Sequence, residues 1–174
     1  MSSYAEILID RFCSKGVLID TNLLLLYVVG RYDDGVIRRG AFNRLAAYSI
    51  EDYSLLRGLM LLFDKYVTTP HVLAEVSNWI GKLPRGQEIE CLGRFADILS
   101  GFTELTVESF EVAFHPRFAY LGLTDAAISK FASEYLVLTD DARFAVHLNE
   151  MGLDALNINH LRQEIWLRDR DAVS

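Results

Sequence analysis

Two acidic residues stand just after short apolar stretches that predict buried strands. Residues 17–19 and 136–138 are wholly apolar, which is typical of strands covered on both faces in a parallel sheet. Asp20 follows the first stretch, and Thr139, Asp140 and Asp141 follow the second. Ligands of such sheets bind beyond the carboxyl ends of the strands, so we expect Asp20 and Asp141 at one binding edge. Which of the two neighbouring aspartates faces that edge stays open, and we interpret Asp140 as the N-cap of the next helix.

Two further carboxylates belong to predicted helix starts. Thr69 and Pro70 predict a helix that carries Glu75 in its second turn. Thr124 predicts an N-cap, with Asp125 directly after it at the mouth of another helix. Each has an ordinary alternative, because a glutamate is commonly an exposed helix residue and an aspartate at a helix start is a favourable charge.

Four carboxylates gathered at one edge would repel one another unless a cation lies between them. Two unit charges about 4 Å apart repel by about 4 kcal/mol at an effective dielectric constant of about 20. Hard oxygen ligands suit Mg²⁺ or Mn²⁺, and such an ion activates water for attack on phosphorus. The residues therefore indicate a divalent-metal site formed by Asp20, Glu75, Asp125 and Asp141.

The elements that would position these residues alternate between strands and helices. Apolar spacing predicts strands at residues 17–19, 66–68, 102–107, 136–138 and 155–157. It predicts helices at residues 3–13, 21–29, 36–47, 50–63, 70–80, 89–99, 125–132, 142–151 and 160–167. This alternation predicts a three-layer α/β/α fold with a central, mostly parallel sheet and extra helices at the N-terminus and between residues 30 and 66. The 174 residues, 51% of them hydrophobic, suit a single domain over residues 1–174.

Charge and composition limit the classes of function. The net charge of −7 argues against a protein that coats nucleic acid by general attraction, although a nuclease needs only a local basic rim. No apolar run reaches the ~18 residues of a membrane helix, and the N-terminus lacks the pattern of a secretory signal, so we expect a cytoplasmic protein. Cys13 and Cys91 stand alone, and the four histidines lack ligand spacing, so neither a thiolate site nor a histidine site is indicated. Candidates for the basic rim are Arg31, Arg38, Arg39, Lys82, Arg85, Arg117 and Lys130, for each of which solvated surface charge is the commoner reading.

The sequence around the four carboxylates resembles the PIN-domain family of metal-dependent ribonucleases. Leu18-Ile19-Asp20-Thr21-Asn22 is similar to the hydrophobic-Asp-Thr-Asn motif that the family places at the end of its first strand. Residues 138–144 match the family's fourth acidic motif, T-x-D-x-x-F, with Asp141 in the acidic place. Residues 70–75 and 123–128 resemble the second and third acidic sites, in the family's order.

The resemblance implies an endoribonuclease that depends on Mg²⁺ or Mn²⁺ and hydrolyses RNA. It implies metal ligation by the four carboxylates, directly or through water, and orientation of a carboxylate or a phosphate oxygen by Asn22 and Thr139. The family often supplies the toxin of a toxin–antitoxin pair and often forms homodimers, which would add an antitoxin protein as partner. The chain departs from compact toxins of this kind by its extra helices between residues 30 and 66. The alternative is a catalytically silent scaffold of the same fold that binds a protein or a nucleic acid.

Overall fold

A parallel sheet of five short strands lies at the centre of the fold. The computed structural model describes residues 3–162. In chain order the strands are β1 (Val17–Ile19), β2 (Tyr66–Thr68), β3 (Phe102–Glu104), β4 (Leu136–Thr139) and β5 (Ala155–Asn157). They pair in the order β3-β2-β1-β4-β5. The chain adds β2 and β3 on one side of β1 and then β4 and β5 on its other side, so the strand order reverses beside β1.

Helices connect successive strands. They are α1 (Tyr4–Phe12), α2 (Thr21–Tyr32), α3 (Asp34–Arg38), α4 (Ile50–Met60), α5 (Pro70–Ile80), α6 (Gln87–Leu99), α7 (Ser109–Ala113), α8 (Phe118–Ser129) and α9 (Ala142–Glu150), with a 3₁₀ turn at Asn43–Leu45. Right-handed crossovers place α2 to α6 on one face of the sheet and α8 and α9 on the other. Within the first layer α2 packs against α4, α5 and α6, while α8 packs against α7 and α9 and also contacts α5. The predicted three-layer α/β/α fold is therefore confirmed.

The helix α2 is the apolar centre of one layer. Residues 23–26 are fully buried, because the helix lies between the sheet and the surrounding helices. Its Gly30 faces Tyr53 of α4 so closely that an added methyl group would overlap the tyrosine ring. Asp20 caps the N-terminus of α2, which fixes where this buried helix leaves the sheet edge.

Four of the five predicted strands, β1, β2, β4 and β5, are confirmed. The strand predicted over residues 102–107 is present as β3 but is shorter than predicted. β3 ends at Glu104, where the N–H of Leu105 bonds the carbonyl of Thr68, and the short helix α7 follows. A capping box begins α4, because the Ser49 side chain accepts from the N–H of Asp52 and the Asp52 side chain accepts from the N–H of Ser49. The predicted closing helix over residues 160–167 is helical where the structure describes it, up to residue 162, and its remainder lies outside the described residues.

The prediction of one helix over residues 36–47 is wrong. α3 ends at Arg38, and Gly40 adopts φ +57°, the left-handed conformation that glycine tolerates. The N–H groups of Gly40 and Ala41 bond the carbonyls of Ile37 and Val36, the pattern of a Schellman motif. The chain then continues irregularly to the 3₁₀ turn before α4.

The predicted N-caps at Thr124 and Asp140 are also wrong. α8 begins earlier, at Phe118, and is broken at Gly122, whose φ of +73° separates two helical segments. Thr124 therefore lies inside the second segment, and Asp125 lies in that segment's first turn. The N-cap of α9 is Asp141, which accepts hydrogen bonds from the N–H groups of Arg143 and Phe144. Within residues 3–162, no helix is long and apolar enough to span a membrane.

Candidate active site

The four predicted carboxylates line one cleft at the carboxyl edge of the sheet. β1 and β4 are adjacent and parallel, and the N–H of Asp20 bonds the carbonyl of Leu138, so both strands end at the same place. The cleft has a volume of about 260 Å³, and Asp20, Glu75, Asp125 and Asp141 all contribute to its wall. It lies where the strand order reverses, which is the position expected of a ligand site in this kind of sheet.

Asp20 is the most deeply placed of the four carboxylates. It is 6% exposed, accepts a hydrogen bond of 2.6 Å from the hydroxyl of Thr139, and accepts another from the N–H of Thr21. The pKa of Asp20 is raised to about 6 as the net of several effects: burial, the largest, raises it, the bond from Thr139 lowers it, and the charge of Asp140 raises it. Thr139 therefore orients Asp20, as predicted, and lies wholly inside the protein.

Asp125 carries the largest electrostatic penalty in the cleft. Burial and then, in decreasing order, the negative charges of Asp20, Asp141, Glu75 and Asp140 together raise its pKa to about 8. All of these carboxylates thus lie near enough to act on one residue. Asp125 retains a proton at neutral pH in the absence of a compensating cation.

Glu75 and Asp141 are held by hydrogen bonds at the cleft wall. Glu75 accepts a short hydrogen bond from the hydroxyl of Thr124, which is the role of that threonine in place of the predicted cap. Asp141 accepts bonds of 2.7 and 3.1 Å from the two N–H groups that it caps, and its own N–H donates to Thr139. Thr139 therefore links Asp20 and Asp141 through a single hydroxyl group.

Asp140 lies behind the cleft wall. Its carboxylate accepts hydrogen bonds from the amide of Asn22 and from the hydroxyl of Tyr48. Burial and the charge and hydrogen bond of Asp140 raise the pKa of Tyr48, so that this phenol stays protonated. Of the two neighbouring aspartates, Asp141 is the one in the cleft.

Arg44 is a cleft residue that the sequence did not indicate. It donates a hydrogen bond of 2.6 Å to the side-chain oxygen of Asn22, and its guanidinium group lies 4.5 Å from the ring centre of Trp79. Asn22 thus joins Arg44 to Asp140, which extends the predicted orienting role of Asn22 to a cation. Arg44 was assigned to a helix over residues 36–47, and nothing in its local pattern distinguishes it from a surface arginine.

The cleft carries the oxygen donor atoms that suit a divalent cation, although its side chains do not surround a single point. Among residues 3–162, no group of three His, Cys, Asp or Glu side chains is close enough to hold a metal ion in the present arrangement. The wall offers carboxylate oxygens together with the buried hydroxyl of Thr21, which has no hydrogen-bond partner in the described part of the chain. Such an all-oxygen set is what Mg²⁺ and Mn²⁺ prefer, and their charge would relieve the repulsion at Asp125.

Most of the other residues considered from sequence lie elsewhere. Arg38 and Arg39 pair with aspartates of their own segment. Arg31 lies near the end of α2, and Arg85 follows α5. Both helices begin at the cleft edge and run for about 16 to 18 Å, so these arginines lie at the far edge. Tyr32 bonds Glu90 at that far end. Cys13 and Cys91 are free cysteines, of which Cys13 is half-buried and Cys91 is buried.

No protein-family model matches the chain, and no curated protein is significantly similar to it.

Proposed function

We propose that the protein is a nuclease that depends on Mg²⁺ or Mn²⁺ and hydrolyses RNA phosphodiester bonds in this cleft. The observation that carries the proposal is the convergence of Asp20, Glu75, Asp125 and Asp141, which are far apart in sequence, on one cleft at the reversal point of the sheet. The raised pKa of Asp125 supports it, because a cation in the cleft would relieve the repulsion that the neighbouring carboxylates impose on this residue.

The chain's own residues divide the work in the cleft. Asp20, Glu75, Asp125 and Asp141 would hold the cation, which when bound supplies an activated water and neutralises charge on the leaving oxygen. Thr139 fixes the direction of Asp20 and the backbone of Asp141, so two of the four carboxylates are preorganised by one buried group.

Arg44 would bind the phosphate group to be cleaved. It lines the cleft with the carboxylates, and Asn22 and Trp79 hold its guanidinium group in place. A guanidinium group matches the geometry of phosphate oxygens and keeps its charge at every physiological pH. Its positive charge would favour the charge that develops on those oxygens during in-line displacement.

The resemblance to PIN domains supports RNA as the substrate, since carboxylates and a cation would serve phosphodiesters in general. The role of a toxin with an antitoxin partner, the homodimer and the cytoplasmic location rest on the resemblance or on composition, and they stay predictions.

The test is cleavage of a fluorescently labelled RNA by the purified protein with Mg²⁺, with Mn²⁺ and with EDTA. We expect cleavage with either ion, none with EDTA, and a loss of at least about a hundredfold in Asp20→Asn with its circular dichroism spectrum unchanged. The matched control is Asp97→Asn, an exposed carboxylate on α6. Binding of RNA without cleavage by the wild-type protein would instead identify a catalytically silent scaffold, and cleavage that persists in Asp20→Asn would refute the site.

A further inference from the structure

A groove with two arginines continues from the acidic cleft along the start of α8 and α9. A hollow of about 110 Å³ adjoins the cleft, and it shares Asp125 and Asp141 with it. A larger hollow of about 380 Å³ adjoins the first and shares Tyr120 and Arg143 with it. The two hollows together form one path that leads away from the carboxylates, and we call it the arginine groove.

The two arginines of this groove are unpaired. Arg117 and Arg143 are exposed, and neither guanidinium group forms an ion pair or a hydrogen bond with any of residues 3–162. Arg143 lies beside the carboxylates of the first hollow without forming an ion pair with them. By contrast, Arg38 and Arg39 elsewhere on the surface are bound to neighbouring aspartates. The groove thus keeps two positive charges available on a chain whose net charge is −7.

Two further side chains of the groove are an exposed aromatic ring and a buried histidine without hydrogen-bond partners. Tyr120 is 59% exposed and belongs to both hollows, so its ring is available to a planar group. His147 is 4% exposed at the floor of the larger hollow, and neither of its ring nitrogens has a hydrogen-bond partner in the described part of the chain. A buried imidazole without partners is costly, and a polar ligand beside it would relieve that cost.

We propose that the arginine groove binds the strand of single-stranded nucleic acid that continues beyond the cleaved bond, with Arg117 and Arg143 on backbone phosphates and Tyr120 against a base. Arginine and an exposed aromatic ring are the two groups with which proteins hold single strands independently of sequence. The continuity of the groove with the cleft would let one strand occupy both. This inference rests on the proposed nuclease function for the direction of the strand, whereas binding itself can be measured without cleavage.

The test is the affinity of the full chain for a labelled oligouridylate of about 12 nucleotides in EDTA, measured by fluorescence anisotropy from about 50 to 200 mM NaCl. Each phosphate contact contributes about 0.7 to the slope of log affinity against log salt for single strands, so Arg117→Gln/Arg143→Gln should lower that slope by about 1.4. Tyr120→Leu should weaken binding about tenfold with little change in slope. The matched control is Arg31→Gln/Arg85→Gln, two exposed arginines at the far edge, for which neither quantity should change.

The outcomes separate this inference from the nuclease proposal. Equal affinity and slope in wild type and Arg117→Gln/Arg143→Gln overturn the inference, even where the wild-type protein cleaves RNA with Mg²⁺. Arginine-dependent binding by a wild-type protein that does not cleave supports the groove and refutes the nuclease. The same measurement with an oligothymidylate compares DNA with RNA. Arg117→Gln/Arg143→Gln should lose affinity for both, because both carry the same phosphates. A protein partner in place of nucleic acid would leave both arms without arginine-dependent binding, which also overturns the inference.

Discussion

Replacing Asp125 by asparagine should stabilise the metal-free protein at alkaline pH. The pKa of this carboxyl group rises from 3.8 to about 8 in the folded state, so the folded protein binds its proton more tightly than the unfolded chain does. The stability that this proton contributes is complete below about pH 4 and is lost as the pH rises toward 8. An amide has no proton to lose, so Asp125→Asn removes this loss.

The size of the effect follows from the two pKa values. One pKa unit corresponds to about 1.4 kcal/mol. Raising the pH from about 5.5 to 8 should therefore lower the free energy of unfolding of the wild-type protein by about 3 kcal/mol more than that of Asp125→Asn. For a domain of this length, 1 kcal/mol moves the melting temperature by about 2 to 4 °C. The difference in melting temperature between variant and wild type should therefore grow by about 6 to 12 °C over this interval of pH.

The assay is thermal unfolding followed by circular dichroism in EDTA across this range of pH, repeated with Mg²⁺. Added Mg²⁺ should raise the melting temperature of the wild-type protein at pH 8, since an ion that binds only the folded state stabilises it, and should raise that of Asp125→Asn much less. Asp97→Asn, which alters an exposed carboxylate on α6, should follow the wild-type profile. Parallel pH profiles of wild type and Asp125→Asn would refute the reasoning, as would an equal response of both to Mg²⁺.

Two further changes test the packing around the site. Thr139→Val should lower the free energy of unfolding, measured in urea, by about 1 to 3 kcal/mol, because the buried hydroxyl group that bonds Asp20 and Asp141 is lost. Thr139→Ser, which keeps a hydroxyl group, should restore most of this stability. No change in Thr139→Val would show that the hydroxyl group does not organise the cleft. Gly30→Ala should destabilise the fold by about 1 to 3 kcal/mol, since the added methyl group overlaps Tyr53. Gly58→Ala, on the exposed side of α4, meets no atom and should stabilise the fold by up to about 1 kcal/mol. Equal effects of the two changes would contradict the close packing of α2 on α4.

The strands and the acidic positions were predictable because their signals are local. Residues 17–19 and 136–138 are apolar throughout, and only burial on both faces makes such a pattern common in strands. A parallel sheet then places the residues after its strands at one edge, so Asp20 and Asp141 had to lie at that edge, and the adjacency of β1 and β4 makes them neighbours. The other two acidic positions, Glu75 and Asp125, followed from predicted helix starts, which is a weaker signal because a carboxylate there has an ordinary alternative role.

The errors arose where distant contacts or a single glycine decide the structure. Gly40 ends α3 by adopting a left-handed conformation, and Gly122 divides α8 in the same way, which displaced the predicted helix starts. Thr124 bonds Glu75 across 49 positions of sequence, and no local pattern could distinguish that from capping. Arg44 reaches the cleft from the 3₁₀ turn Asn43–Leu45 and contacts Asn22 and Trp79, so its position there depends on tertiary structure alone.

The hydrogen bond between Thr139 and Asp20 also determines when the cleft can come into existence during synthesis. It joins residues 119 positions apart, and a ribosome adds about 5 to 20 residues per second. The nascent chain therefore carries Asp20 for roughly 6 to 24 s, but Asp125 for only about 1 to 3 s, before β4 is complete and can fix Asp20 beside Asp141. A chain that stops before residue 136 has three of the four carboxylates and no partner strand to assemble them, so incomplete translation products should be inactive on RNA.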